Sequence, residues 1–380
     1  MPKLTKVFLL CSGLGRISRG FESFTQECFD ALADAPELDL TLFKGGGASG
    51  PKQVVLPNLP RTLPLTLALG KLTRKSGYWV EQVTFTLSLL PHIARQTPDV
   101  LYFSDTNVGN LLWHWRRLTK QKYALLFSNG GPMQPPYPRW DFVQQISPTV
   151  AAEALAAGHP ADRQDLVPYG FQMPASLDAS AAIKAQARTE LRLPANRPLV
   201  LSVGAVNSRQ KRMDYVVREL AALPIPRPFL LLVGQQDEGT PEVAALARDL
   251  LGDDNFRIET VAHDKVAKYY EAADAFVLAS LHEGFGRVFV EAMSHGLPCL
   301  AHDYAQTRSL LGNTGFFADF QWPGQLTSLF CGLRENLPAE TAEIKAARHL
   351  SVYERFSWQR LTPAYVTMIR RCAASRQKAA

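Results

Sequence analysis

At 380 residues the chain is longer than one hydrophobic core usually supports, so two domains are expected. Apolar residues at 46% and charged residues at 20% place it among ordinary soluble globular proteins. The balance of 41 basic against 35 acidic residues gives +6, which suits anionic ligands or an anionic membrane surface and is too weak to require nucleic acid.

Five cysteines (Cys11, Cys28, Cys299, Cys331, Cys372) are scattered, odd in number and form no CxxC pair. Neither a zinc ligand set nor a disulfide framework is visible, so a reducing cytoplasm is the expected compartment. The N-terminus, MPKLTKVFLLCSGLG, sets basic residues before an apolar run. That run covers only Val7 to Leu10, shorter than the ~7–15 residues of a signal-peptide core, and reads as a first buried strand. Nothing approaches the ~18 apolar residues of a membrane span.

In chain order, Lys6 to Cys11 reads as a strand, Ser12 to Gly20 as a glycine loop and Phe21 to Ala33 as an amphipathic helix. Gly13 and Gly15 begin a GxGxxG-like pattern, but Ser18 stands where the third glycine belongs. A dinucleotide-binding domain also places an acid at the end of its second strand. Here that strand, Leu38 to Phe43, runs into Lys44 and three glycines, which argues against NAD. A phosphate- or acceptor-binding loop fits better, with Arg16, Arg19 and Glu22 nearby. Leu63 to Leu90 carries Lys71, Arg74, Lys75, Tyr78 and Trp79; a second cluster holds Trp113, Trp115, Arg116, Arg117, Lys120 and Lys122. Cations interleaved with Trp and Tyr suit a helix at a membrane interface. The plainer reading is helices covering a sheet, aromatics inward and cations solvated.

Val100 to Phe103 and Tyr123 to Phe127 read as further buried strands ending in small or polar residues, where open α/β sheets bind ligands. Pro132 to Pro138 is a proline-rich loop, and Ile146 to Pro148 looks like another strand end. This alternation marks residues 1–172 as one doubly wound domain, with the interdomain link between Tyr169 and Leu177. Ala181 to Leu193 reads as a helix. Leu199 to Val203 then opens a second series, with strands at Phe229–Val233, Phe256–Glu259, Ala275–Leu278 and Pro298–Ala301. The expected second domain is 173–352, with a terminal helical segment, 353–380, crossing back to the first.

Two loops of the second domain carry chemistry. After its first strand come Gly204, Arg209, Lys211 and Arg212, three cations within four residues that could neutralise a diphosphate. A solvated basic turn is the alternative. The other stretch, Ser280 to Asp303 (SLHEGFGRVFVEAMSHGLPCLAHD), reads as glycine turn, helix and strand, with Gly296 as the C-terminal cap glycine. A helix N-terminus at a sheet's carboxyl edge offers unpaired N–H groups to an anion, and glycines let the backbone approach it. Glu283 at the mouth of the turn can accept hydrogen bonds from sugar hydroxyls, and Glu291, two turns on, from a ribose. An ordinary βαβ crossover with two solvated acids has the same outline.

Together these elements resemble the retaining glycosyltransferases of the GT-B fold, two Rossmann-like doubly wound α/β domains facing across a cleft. The resemblance rests on Glu283-Gly284-Phe285-Gly286 followed by Glu291-Ala292-Met293, the family's E-x7-E signature, with Gly296, Pro298 and Asp303 in step. Lys211 after Gly204, Ala272-Ala273-Asp274 and Phe356-Ser357-Trp358 agree. It is strong from about Leu199 to Leu311 and looser in the first domain.

The resemblance implies that Glu283 contacts donor-sugar hydroxyls and Glu291 the nucleotide ribose. The backbone at Phe285, Gly286, Arg287 and Val288 would meet the sugar and diphosphate. Lys211 matches the family lysine on the diphosphate, but its usual arginine partner is Ala205 here, leaving Arg209 or Arg212 to substitute. Base selection is expected near Thr260 to His263, including Val261. In the first domain the loop at Gly15 is placed on the donor side, and Arg16, Glu22 and Asn129 on the acceptor or sugar side. Asn129 stands where the family often has a histidine.

The implied activity is transfer of a hexose, with retention, from a nucleotide-diphosphate sugar to a hydroxyl acceptor that is a glycan, lipid-linked or small molecule. No cofactor or metal is expected, and peripheral contact with an anionic membrane is a further expectation. Catalysis would rest on stabilising the departing diphosphate and on domain closure. A nucleotide-sugar epimerase and a non-catalytic nucleotide-sugar-binding subunit are the competing readings. No P-loop, HExxH or GxSxG motif is present.

Overall fold

The computed structural model describes residues 4–17, 20–131, 133–337 and 340–377. Ser18, Arg19 and Pro132 lie outside the described residues, and with them the third-glycine position and one cation of the first loop. The chain divides into two compact units, Met1–Gln172 with Phe356–Ala380, and Met173–Arg355. Each is built on a parallel sheet. Among the described residues no helix is long and apolar enough to cross a membrane.

The first unit holds seven strands: β1 Thr5–Cys11, β2 Leu38–Lys44, β3 Gln53–Val55, β4 Val100–Phe103, β5 Ala124–Asn129, β6 Phe142–Gln145 and β7 Gln164–Leu166. Their order is β3-β2-β1-β4-β5-β6-β7, and every pairing is parallel. Parallel strands are covered on both faces, so the inner ones are near-continuous apolar runs such as VLYF in β4, all buried. Phe8, Leu10, Leu101, Phe103, Leu125 and Phe127 form one face of this sheet. They pack with Phe85, Leu89 and Ile93 of the helix Gly77–Gln96 and Leu112 of the helix Thr106–Thr119.

The C-terminal helix Trp358–Gln377 packs on β4, β5 and β6 and on the helix Gly20–Leu32. Phe24 stacks on Tyr169 at 4.0 Å and Trp358 lies 4.9 Å from Tyr365. Gly170 is obligatory here, because a Cβ would sit 2.4 Å from the Trp358 indole. The amide of Phe171 donates to Phe356 at 2.8 Å, so the segment leaving the first unit runs beside the segment returning to it.

The second unit holds β8 Leu199–Val203, β9 Phe229–Val233, β10 Phe256–Glu259, β11 Ala275–Leu278, β12 Cys299–His302 and β13 Gly315–Ala318, all parallel, in the order β10-β9-β8-β11-β12-β13. Both sheets start from a central strand, run outwards one way, then reverse, as in the doubly wound dinucleotide-binding fold.

Three strands escaped the sequence reading: β3, β7 and β13. All three are sheet edges of three or four residues, only partly covered, and QVV, QDL and GFFA carry no sustained apolar run. The expected strand end at Ile146 to Pro148 is corrected: β6 ends at Gln145, and Pro148 begins a helix. The signal was masked because two of the four β6 residues are glutamines. Leu63 to Leu90 lies across two helices, Pro64–Thr73 and Gly77–Gln96. They are separated by Arg74 in the left-handed conformation and by Ser76, whose hydroxyl accepts the Trp79 amide. The Trp113–Lys122 cluster covers the sheet: Arg116 is buried, donates to the Tyr123 carbonyl at 3.0 Å and pairs with Asp141.

At the amino edge of the second sheet Asp274 ties three segments together. It accepts the Leu199 amide at 2.8 Å and pairs with Lys184 at 2.6 Å and Arg188 at 2.5 Å, while Arg188 also donates to the carbonyls of Ala272, Ala195 and Arg197. Burial works to raise the Asp274 pKa, but Lys184, Arg188 and the Leu199 amide hold it below its ordinary 3.8. The folded value is the lower one, so this stabilisation is present above about pH 3.8 and is lost as pH falls through the folded pKa. Asp274→Ala leaves two cations without their acid and should cost about 3 kcal/mol, read as a lower urea midpoint for the second unit. An unchanged midpoint would remove this hub from the account of stability.

Candidate functional site

The carboxyl edge of the second sheet is shaped first by glycine. Gly234 follows β9 with φ of 156°, and a Cβ there would lie 1.8 Å from the carbonyl oxygen of Gly204, which follows β8. Only glycine permits this approach. The Lys211 methylenes pass 3.3 Å from the Cβ position of Gly204, so the lysine lies along the strand end instead of reaching into solvent. Asn207 organises the loop between them. Its carbonyl oxygen accepts the amides of Gln210 and Lys211 at 3.1 and 3.2 Å, and its NH2 donates to Asp237 at 2.8 Å.

The three cations of this loop part company. Lys211 donates through Nζ to Glu283 Oε1 at 2.5 Å, and both side chains are mostly buried, at 15% and 11% exposure. Arg212 is the left-handed residue preceding the helix Met213–Ala221; its guanidinium donates to the Phe320 carbonyl at 2.8 Å and lies 4.6 Å from the Tyr215 ring centre. Arg209 is exposed, and its charge contributes to holding Asp237 below its ordinary pKa, after the larger effects of the Asn207 and Gly239 hydrogen bonds.

The second loop follows β11. Gly286, at φ of 89°, caps the helix Arg287–Ser294, and a Cβ there would meet Phe289 at 3.1 Å. Gly284 is exposed, whereas Phe285 is buried and its carbonyl accepts Gln306 at 3.2 Å. The Glu283 amide donates to the Tyr304 hydroxyl at 2.8 Å. Tyr304 is held in turn by His302, stacked at 5.7 Å, and its phenol is pushed up to about 12, by burial first and then by the neighbouring Glu283 charge. The main chain of Glu283 is thus fixed from one side and its carboxylate from the other.

Within the helix, Glu291 accepts from the Tyr270 hydroxyl at 3.0 Å and lies 3.8 Å from the Arg287 guanidinium one turn back. His295 stacks on Tyr270 at 5.2 Å, its ring nitrogen 2.9 Å from the Glu291 carbonyl; burial keeps its pKa below the usual histidine value. Val288 is half-buried in the first turn, and Val261 is half-buried just beyond β10, beside Thr260, whose hydroxyl donates to the Gly234 carbonyl at 2.7 Å. The structure therefore brings the strand-end glycines, Thr260, Lys211, Glu283 and the helix Arg287–Ser294 to one sheet edge.

The first unit has its own carboxyl edge. The loop at Gly15 closes on the glycines after β2: a Cβ on Gly15 would lie 2.2 Å from the Gly46 carbonyl, and one on Gly46 would lie 2.5 Å from the Arg16 side chain. Arg16 donates to Asn58, whose amide reaches back to the Ser12 carbonyl at 3.3 Å. Glu22 is buried, 4.0 Å from Arg61, which forks onto Glu81 at 2.6 Å and lies 4.0 Å over the Tyr78 ring. Tyr78 donates to Asp105, which also accepts the Ser12 hydroxyl at 2.8 Å. Asn129 is only 2% exposed, and its NH2 is shared by Tyr137 and Gln145 at 3.0 Å each. The structure keeps Arg16 and Glu22 at this edge and places Asn129 inside.

Sequence reading missed the residues that hold the named ones. Asn207, Gly234, Tyr270 and Tyr304 in the second unit, and Arg61, Glu81 and Asp105 in the first, are separated in sequence from their partners. Only Asp105, at a strand end, carried a signal. Removing the Tyr304 hydroxyl leaves a mostly buried amide without its acceptor. Tyr304→Phe should therefore lower the unfolding free energy by about 1–2 kcal/mol, measured by denaturant titration. A variant as stable as the parent would show that the Glu283 loop needs no such support.

Two parallel-sheet Rossmann-like domains define an α/β protein of the GT-B fold. Residues 197–336, less than half of the chain, match the family model described as glycosyl transferases group 1. O-antigen chain mannosyltransferase B of Escherichia coli is 33% identical over 94 residues, 24% of either chain. D-inositol 3-phosphate glycosyltransferase of Thermobispora bispora is 31% identical over 209 residues, 50% of this chain and 48% of that protein. The chain thus spans half or less of the length of these two relatives. Among solved structures, sucrose-phosphate synthase from Thermosynechococcus elongatus superimposes with a TM-score of 0.79 at 21% identity, covering 98% of this chain and all of that one. Anabaena HepE in complex with UDP-glucose gives 0.70 at 17% identity, covering 98% and 99%.

Proposed function

We propose that this protein is a glycosyltransferase that moves a hexose, with retention, from a nucleotide-diphosphate sugar to a hydroxyl acceptor and needs no metal ion. The observation that carries the reading is the Lys211–Glu283 pair at the carboxyl edge of the second sheet, inside the stretch that matches group 1 glycosyl transferases. A carboxylate that accepts hydroxyl hydrogens and an ammonium that neutralises phosphate stand side by side, 2.5 Å apart. The complexes of HepE with UDP and UDP-glucose support the donor class.

In this reading Glu283 holds the donor sugar, and Lys211 and the first turn of the helix Arg287–Ser294 take the diphosphate. Glu291, oriented by Tyr270, accepts from the ribose. Of the two arginines that could replace the one missing at Ala205, Arg209 is the candidate, because Arg212 is engaged by the Phe320 carbonyl and the Tyr215 ring. Val261 and Thr260 lie towards the base. Acceptor recognition is assigned to the first unit, to Arg16 and Glu22. The acceptor is a hydroxyl-bearing glycan, lipid-linked or small molecule, and peripheral contact with an anionic membrane is part of this reading.

Charge developing on the departing diphosphate is the largest change between ground and transition states, so Lys211 should act there more than on binding. Lys211→Ala is expected to lower kcat about 100-fold while weakening nucleotide affinity by much less. Equal losses in both would sink the assignment. A thermal-shift series of UDP, GDP, ADP and their sugars identifies the donor, because a ligand that binds the folded state raises Tm. The anomeric configuration of product and donor, compared by NMR, tests retention, and turnover unchanged by EDTA tests metal independence. Ala205 favours one second reading, a nucleotide-sugar-binding subunit without turnover. Slow donor hydrolysis by the parent, lost in Glu283→Ala, would exclude that reading.

A further inference from the structure

The helix Pro64–Thr73 of the first unit is built inside out. Its buried residues are Thr66 and Gly70. Leu65 is 59% exposed and Leu72 81%, with Leu63 and Leu67 also exposed. Leu65, Ala68 and Leu72 follow an i, i+3, i+7 spacing, which puts them on one outward stripe. The inversion has a packing cause. A Cβ on Gly70 would lie 2.8 Å from the Lys75 carbonyl and 3.3 Å from the Gly77 amide, so at this close approach the inward face admits only glycine, and Leu69 beside it is half-buried. The other leucines are left on the water side.

Beside this stripe stand Lys71, Arg74 and Lys75, all exposed. Arg74 adopts the left-handed conformation and its amide caps the Gly70 and Lys71 carbonyls, which fixes the cations at one end of the helix. From Thr62 to Val80 the sequence has no acidic residue. A cation at a helix C-terminus is favourable in itself, but that accounts for the charges and not for the leucines.

We propose that this face is the surface by which the protein lies on an anionic lipid bilayer, with the leucines entering the acyl boundary and the cations meeting lipid phosphates. The proposal deepens the membrane attachment named above. Charge selects the occupant: a second copy of this chain docking face to face would set three cations against three, whereas an anionic leaflet attracts all of them. Leucines flanked by lysine and arginine, without intervening acids, have the composition of an interfacial helix.

The test is co-sedimentation of the full chain with vesicles. Binding is expected to vesicles of equal parts phosphatidylcholine and phosphatidylglycerol, to weaken as salt rises, and to be absent with phosphatidylcholine alone. Lys71→Glu with Arg74→Glu and Lys75→Glu should lower affinity about 100-fold or more, and Leu65→Ser with Leu72→Ser about tenfold. These side chains are exposed, so both variants should keep the parent's Tm and its shift with nucleotide. Parent-like vesicle binding by either variant, or none by the parent at low salt, overturns the proposal. So does a dimer of the parent that the leucine variant dissolves while lipid binding persists. Nucleotide shift without vesicle binding overturns this surface alone, and the reverse overturns the donor reading alone.

Discussion

The ion pair of Lys211 with Glu283 is the contact on which the second unit's sheet edge depends. It joins the loop after β8 to the loop after β11, 72 residues apart in sequence, at 2.5 Å and mostly out of water. Such a pair gains little net stability, because desolvating two charges offsets most of their attraction. Its value lies in what it holds ready. With the pair formed, neither charge is left uncompensated. In the proposed reading, a ligand carrying both hydroxyls and phosphates divides them, hydroxyls to Glu283 and phosphate to Lys211. A ligand with only one of those groups would leave the other charge poorly matched.

That geometry rests on backbone more than on side chains. Gly204 and Gly234 touch through a contact no other residue type could make, and Asn207 turns the intervening loop so that Lys211 runs back along the strand. On the opposite side, Tyr304 fixes the Glu283 amide and Gln306 fixes the Phe285 carbonyl, both from the segment after β12. Four strand ends therefore contribute to one small arrangement. At the opposite edge of the same sheet, Asp274 joins the start of β11 to the start of β8.

Much of this was legible in the sequence, for identifiable reasons. Central parallel strands are buried on both faces, so runs such as LVLSV and FLLLV announce themselves, and the glycines at 204, 284 and 286 mark where the chain turns at the sheet's carboxyl edge. Edge strands such as QDL have one flank open and leave no such mark. Glu283, Lys211 and Glu291 stood out because their residue types and spacings carry chemistry, and the structure sets Lys211 against Glu283. Their supports were not, because Tyr270, Tyr304 and Asn207 act through three-dimensional neighbours that no local pattern encodes. Arg212 shows the same limit from the other side: its place among three cations suggested phosphate, and only its contacts with Phe320 and Tyr215 show it occupied.

The two carboxyl edges share one topology and treat charge differently. In the second unit Arg209 is exposed, and the Lys211–Glu283 pair retains some access to water. In the first, Arg61 is enclosed by Glu81, Glu22 and the Tyr78 ring, and Asp105 is occupied by Tyr78 and Ser12. Burial, and then the Asp105 charge, push the Tyr78 phenol well above its ordinary value, so the hydroxyl stays a donor at any physiological pH. A polar network satisfied so fully gains rigidity, and offers an incoming group little beyond Arg16 and the edge of Glu22. The same sheet topology thus carries one edge with an exposed arginine in its cationic loop and another whose Arg61 and Asp105 are enclosed by partners. The difference is set by how many charges the loops bring and how many partners they bring for them.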